Sequence, residues 1–224
     1  MILLNEQVSH HLLRVVGIQP DERVELFDGR GNVCISSLAF VKQERALMKW
    51  LADVDSAKEQ IPVWVGLALT KRDAFSTSLR MLTEMGVSTL VPIQAERSIV
   101  KLQKSEKPKR WEKIVLSSLA QSKQATIPKL HASQRFADAL DLMSHVPQKW
   151  VLHTTDLPDR RIVRIPLQKA TEETAILIGP EGGFTDVEML LAIEKGWTPA
   201  SLSSNVLRAD TAAIVAVARL YSDY

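Results

Sequence analysis

From residue 62 onward, apolar and polar positions alternate between two textures along the chain. Pro62 to Leu69 is a continuous apolar run and predicts a buried strand. Asp73 to Met85 carries helical periodicity, with Asp73 near its start and Gly86 as a left-handed stop. Val87 to Ile93 predicts the next strand, and Pro108 to Ala125 a long helix with Trp111, Ile114, Val115, Ser118 and Leu119 on one face. Short apolar strands are expected at Trp150 to His153 and Ala175 to Gly179. A helix over Thr185 to Lys195 is signalled by Thr185 and Glu188 at capping-box spacing and by Gly196 after its end. An alanine-rich helix, Ala209 to Ser222, closes the chain. Strands alternating with helices imply a mostly parallel sheet covered on both faces. Trp64, Trp111 and Phe136 fall at positions expected in the core.

The first sixty residues differ. Ser9 to Val16 reads as a short helix carrying His10, His11 and Arg14, and Arg23 to Phe27 as a strand. Asp28-Gly29-Arg30-Gly31-Asn32 is a cluster of turn formers, followed by strands at Val33 to Val41 and Leu47 to Val54. The polar stretch Asp55 to Gln60 suits a linker. Two domains are therefore expected, a small β-rich one over 1–58 and an α/β one over 59–224.

Composition adds exclusions. No apolar run reaches the roughly 18 residues a membrane helix needs, and the start lacks the basic and apolar regions of a signal peptide. Cys34 is the lone cysteine, so no internal disulfide can form and a cytoplasmic location is expected. No Cys/His group has metal-ligand spacing, so no metal is expected. Net charge is only +2, yet ten Lys/Arg lie between Arg97 and Arg135 against two acids, Glu106 and Glu112. Such a stretch suits either a polyanionic partner or a solvated helix face.

Two segments carry chemistry. Ile176 to Thr185 runs from an apolar strand through Gly179-Pro180-Glu181-Gly182-Gly183 into a capped helix. Ligands of parallel sheets bind beyond the carboxyl ends of the strands, and glycines there allow close approach to the backbone. The loop has neither the spacing of a dinucleotide fingerprint nor the Lys-Ser/Thr of a phosphate loop. Glu181 would repel phosphate and attract a cation, which suits S-adenosylmethionine. The second segment, Leu202 to Ala212, places Arg208 near a helix N-terminus, where the helix dipole disfavours a cation. A ligand or RNA explains that placement better than stability does.

Together these segments resemble the bacterial 16S ribosomal RNA uridine N3-methyltransferase family of the SPOUT superfamily. Its pattern is a Gly-Pro-Glu-Gly-Gly-Phe loop and a later Leu-Gly-x-x-Ile-Leu-Arg-x-Glu-Thr-Ala segment, matched here by Gly179 to Phe184 and Leu202 to Ala212. His10 to Val15, Val24 to Gly29, Thr83 to Val87 and Glu96-Arg97-Ser98 extend the resemblance over nearly the whole chain. The family pattern has other residues where this chain has Met81, Gln124, Ser203, Asn205 and Asp210.

The resemblance implies a PUA-like β-barrel that helps to bind RNA, followed by an α/β domain with a trefoil knot, acting as a homodimer on small-subunit ribosomal RNA. It implies an S-adenosylmethionine pocket lined by Leu152, His153 and Thr154, by Gly179, Pro180, Gly182 and Gly183, and by Leu202, Ser203, Val206 and Leu207. Arg208 is expected to stabilise charge developing on the base, and Glu181 is the nearest candidate for a catalytic acid–base group. Arg14, Arg72, Arg97, Lys101 and Lys104 are candidates for RNA phosphate contacts. Alternative readings are a SPOUT methyltransferase acting on another RNA, a cofactor- and RNA-binding homologue without catalysis, and an unrelated nucleotide-binding α/β enzyme.

Overall fold

The structure is a computed structural model that describes residues 1–54, 61–101, 108–153, 163–164, 170–203 and 205–221. The chain divides into two compact units, Met1–Glu59 and Gln60–Tyr224. The expected boundary at 58/59 lies outside the described residues.

The first unit begins with β1 (Ile2–Leu3) and α1 (Glu6–His10), which continues as a π-helix over His11–Val16 and stops at Gly17 with φ +71°. Asn5 starts the helix by accepting a hydrogen bond from the Val8 amide, three residues earlier than the periodicity alone suggested. Three strands follow, β2 (Arg23–Phe27), β3 (Val33–Lys42) and β4 (Arg45–Val54). The β2–β3 turn is held by Asp28, whose carboxylate accepts from the Arg30 and Asn32 amides and the Asn32 side chain. These bonds, led by that from the Asn32 side chain, hold its carboxyl below the usual carboxylate range. The strands pair antiparallel, in the order β1-β4-β3-β2, with an isolated parallel bridge between Pro20 and Leu38. Where a closed barrel was expected, the described strands form an open sheet with β1 and β2 at its edges. Leu12, Ile18, Leu38, Ala46 and Met48 form its small core.

The second unit contains β5 (Val63–Ala68), α2 (Arg72–Glu84), β6 (Thr89–Gln94), α3 (Lys109–Ser122), β7 (Lys129–Leu130), β8 (Gln134–Arg135) and α4 (Phe136–Leu142). It continues with β9 (Gln148–Leu152), β10 (Val163–Arg164), β11 (Thr174–Ile178), α5 (Asp186–Glu194), β12 (Thr198–Ser201) and α6 (Ala209–Leu220). Every pairing between these strands is parallel, in the order β10-β12-β9-β11-β5-β6-β7, with β8 also on β6. The expected α/β class with a parallel sheet is therefore observed.

Side chains of central strands point alternately to the two faces. Trp64, Val91, Ile93, Val151, Ala175 and Leu177 pack with Phe136 and Leu140 of α4, Met143 just after it, and Met189 and Ala192 of α5. The intervening positions, such as Val65, Leu67 and Ile176, are also buried, on the face where α6 meets β5 and β11. The continuous apolar runs in the sequence follow from this double coverage. Gly66 is required by it, since a Cβ there would lie 2.5 Å from Leu177 and 2.8 Å from Ile93. Ala213 and Ala216 of α6 are fully buried within this unit, which accounts for the alanine-rich face.

Candidate functional site

Parallel strands end together, so the loops after β9, β11 and β12 meet beyond one edge of the sheet. A cavity of about 390 Å³ opens between them, within the ~300–1,000 Å³ typical of small-molecule sites. Its walls are Leu152 and His153 at the end of β9, Ile178 to Gly183 after β11, and Ala200 to Ser203 and Asn205 to Ala209 after β12. Arg97 reaches it from the segment after β6, and Ala212 closes one side.

The loop after β11 is tightly held. Gly183 donates to the Pro180 carbonyl at 2.8 Å and adopts φ +67°, a conformation that favours glycine. A Cβ on Gly179 would meet the backbone of Gly183 and Phe184 at 3.3 Å. Phe184 anchors the loop in the core, 1% exposed and with its ring centroid 5.0 Å from that of Phe136. The predicted capping box is present: Thr185 Oγ1 accepts from the Glu188 amide at 3.3 Å, and Glu188 Oε2 accepts from the Thr185 amide at 2.9 Å. Glu188 is buried, and its Oε1 also accepts from the Glu96 amide at 2.8 Å. Arg97 Nη1 donates to the Gly182 carbonyl at 2.8 Å. The segment after β6 is thus tied to α5 through Glu188 and to the glycine loop through Gly182. Thr185→Ala removes the cap and is expected to destabilise the fold by about 1–2 kcal/mol in a urea unfolding series; a change of a few tenths would show that the box is dispensable.

The RNA methyltransferase domain family matches residues 57–221. This chain belongs to that family. It is similar to a ribosomal RNA small subunit methyltransferase E of Synechocystis sp., 30% identical over 221 residues that cover 98% of this chain and 72% of the relative. A protein of the same description from Mesomycoplasma hyopneumoniae is 32% identical over 72% of this chain and 70% of its own length. The crystal structure of a ribosomal RNA small subunit methyltransferase E from Neisseria gonorrhoeae bound to S-adenosyl methionine superposes with a TM-score of 0.84 at 26% identity, covering 100% of this chain and 92% of that one.

In this RNA methyltransferase family member, the cavity gathers most of the residues singled out in the sequence. Leu152, His153, Gly179, Pro180, Glu181, Gly182, Gly183, Leu202, Ser203, Val206, Leu207 and Arg208 all line it. Thr154 and Lys104 lie outside the described residues. Lys101 is exposed, Arg72 opens α2, and Arg14 is exposed in the first unit. Arg97, singled out for phosphate, stands on the cavity wall as well.

Ser203, where the family pattern has glycine, lines the cavity, and its hydroxyl accepts from the Asn205 amide at 3.0 Å. Burial holds the His153 imidazole below its ordinary value of 6.5, against the opposing charge of Asp186 and with a smaller push from Arg97. A histidine with a lowered folded-state midpoint favours folding above about pH 6.5, and that contribution is lost as pH falls through the lowered value.

Sequence reading missed Ala200 and Ser201 as wall residues because β12 carries Pro199, which argues against a strand. Pro199 is in register with Val151 of β9, and among the described residues β10 pairs with Ala200 and Ser201.

Proposed function

We propose that this chain transfers a methyl group from S-adenosylmethionine to N3 of a uridine in small-subunit ribosomal RNA. The observation that carries the reading is the meeting of the Gly179–Gly183 and Leu202–Arg208 loops in one cavity, in a chain with the relatives above. The residues fit the methyl donor. Apolar Leu152, Ile178, Leu202 and Leu207 can cover the faces of an adenine, and loop backbone groups can read its edge. Glu181 offers a carboxylate to a cationic ligand end. When bound, S-adenosylmethionine supplies an electrophilic methyl on a sulfonium.

The chain's own residues supply position and charge. Fixing two reactants in line accounts for much of such a rate. As the uracil loses its N3 proton it becomes anionic, and Arg208 at the cavity rim stabilises that charge. Arg14, Arg72, Arg97, Lys101 and Lys104 contact RNA phosphates in this reading. The first unit serves as the RNA-binding, PUA-like domain, and the two cavity loops form the walls of the SPOUT knot. A homodimer completes the picture. Val187 and Leu190 on α5 and Val206 on the cavity loop are 73%, 55% and 81% exposed, apolar side chains available to a second copy.

Calorimetric titration with S-adenosylmethionine is expected to give a dissociation constant in roughly the micromolar range. Small ribosomal subunits lacking this methyl group are then expected to gain one, and mapping the base reads its position. Absence of binding would overturn the reading. Methylation of another RNA in preference would retain the chemistry and replace the substrate.

A further inference from the structure

We infer that His153 is the group that takes the N3 proton of the target base, an inference that rests on the methyl-transfer reading above. At neutral pH the uracil N3 carries a proton. Forming the N3–methyl bond requires the nitrogen lone pair, so that proton must leave. The pair from the breaking carbon–sulfur bond returns to sulfur, and the proton needs an acceptor within the cavity.

Arg97 and Arg208 stay charged and cannot accept it. Among the described residues, the cavity wall carries two titratable acceptors, His153 and Glu181. An imidazole changes charge nearer neutral pH than any other common side chain, which suits it to accept and return a proton. General-base catalysis is most effective when the base titrates close to the working pH.

Placement agrees with this role. His153 follows the last residue of β9, between the two cavity loops, and its backbone N–H donates to the Ala200 carbonyl at 2.9 Å. That bond fixes its position against β12. The ring is half-buried, so it is held in place yet retains a route for returning the proton to water.

Two charges act on the ring, Asp186 at the start of α5 and Arg97 after β6, and Glu181 and Arg208 stand elsewhere on the same cavity wall. Burial and Arg97 keep the resting ring neutral, the form able to accept. Asp186 acts in the opposite direction and favours the imidazolium formed in the step.

The test uses the whole chain with His153→Gln and His153→Asn. With S-adenosylmethionine held at saturation for each variant, as set by calorimetry, single-turnover methylation is expected to fall by about 10²-fold or more, beyond any loss of cofactor affinity. A 16S ribosomal RNA transcript made with 5-fluorouridine in place of uridine has a more acidic N3–H, and it is expected to restore a larger share of the rate in the variants than in the parent.

Independently of activity, the His153 ring resonance, assigned by its loss in the variants, is expected to titrate below the ordinary 6.5 in the free protein. The proposal is overturned by variant rates within a few-fold of the parent, by equal 5-fluorouridine effects, by cofactor affinity falling in step with rate, or by a ring that is charged at neutral pH. A parent protein that neither binds S-adenosylmethionine nor methylates RNA would overturn the underlying function instead, and the two failures are told apart by that control.

Discussion

Arg208→Ala is expected to lower methyl-transfer turnover by about 10²–10³-fold while changing S-adenosylmethionine affinity by no more than about threefold. Arg208 holds the N-cap position of α6 with extended backbone (φ −65°, ψ 153°) and makes no side-chain cap. Its guanidinium is 80% exposed and meets Asp210 at 3.8 Å, a long contact in water that contributes little to stability. The helix dipole opposes a cation there. Fold stability therefore gives no reason for the side chain, whereas a base that becomes anionic at the cavity rim does. Single-turnover kinetics beside calorimetry separate the roles, because a group that acts mainly on the developing charge lowers the rate more than ground-state binding. Arg208→Lys is expected to recover part of the rate, since it keeps the charge and loses the planar fork. Full activity in Arg208→Ala would remove Arg208 from the mechanism.

The largest effect on stability is expected from Phe184→Ala, at about 3–5 kcal/mol. Phe184 looks like the last letter of a ligand-binding loop, but its ring is 1% exposed and packs on Phe136 in the core beneath the sheet edge. Truncation leaves a void at the point where the glycine loop is anchored. At about 2–4 °C per kcal/mol for a chain of this size, the melting temperature should fall by roughly 10 °C. Cofactor affinity should fall with it, because the Gly179–Gly183 turn loses its fixed end. Phe184→Leu, which refills much of the volume, is expected to recover most of both. Normal thermal stability in Phe184→Ala would show that the loop is held by the Arg97–Gly182 bond and the capping box alone.

Much of the local structure was legible in the chain. Strand β2 was read to the residue, and β3, β5 and β11 to within one residue at each end, because alternation and turn formers bound them. The helix over 186–194 was announced by Thr185, Glu188 and Gly196, whose roles are local and need no tertiary partner. The small strands β7, β8, β10 and β12 and the seven-residue α4 were not read. They are too short for periodicity to rise above its surroundings, and they exist because the neighbouring strand supplies the pairing.

The sequence by itself determined the α/β class of the second unit, the glycine loop with its capped helix, and the residue types on which the chemistry depends. These follow from interactions within a few residues. Only the tertiary structure decided which of those segments meet. Pairing of β9 with both β11 and β12 brings His153, Glu181 and Arg208 to one cavity across 55 residues of chain. The bonds of Glu188 to Glu96 and of Arg97 to Gly182 bring a third segment against it. Sheet order arises from packing between distant residues, and in the first unit it left an open antiparallel sheet where the resemblance implied a closed one.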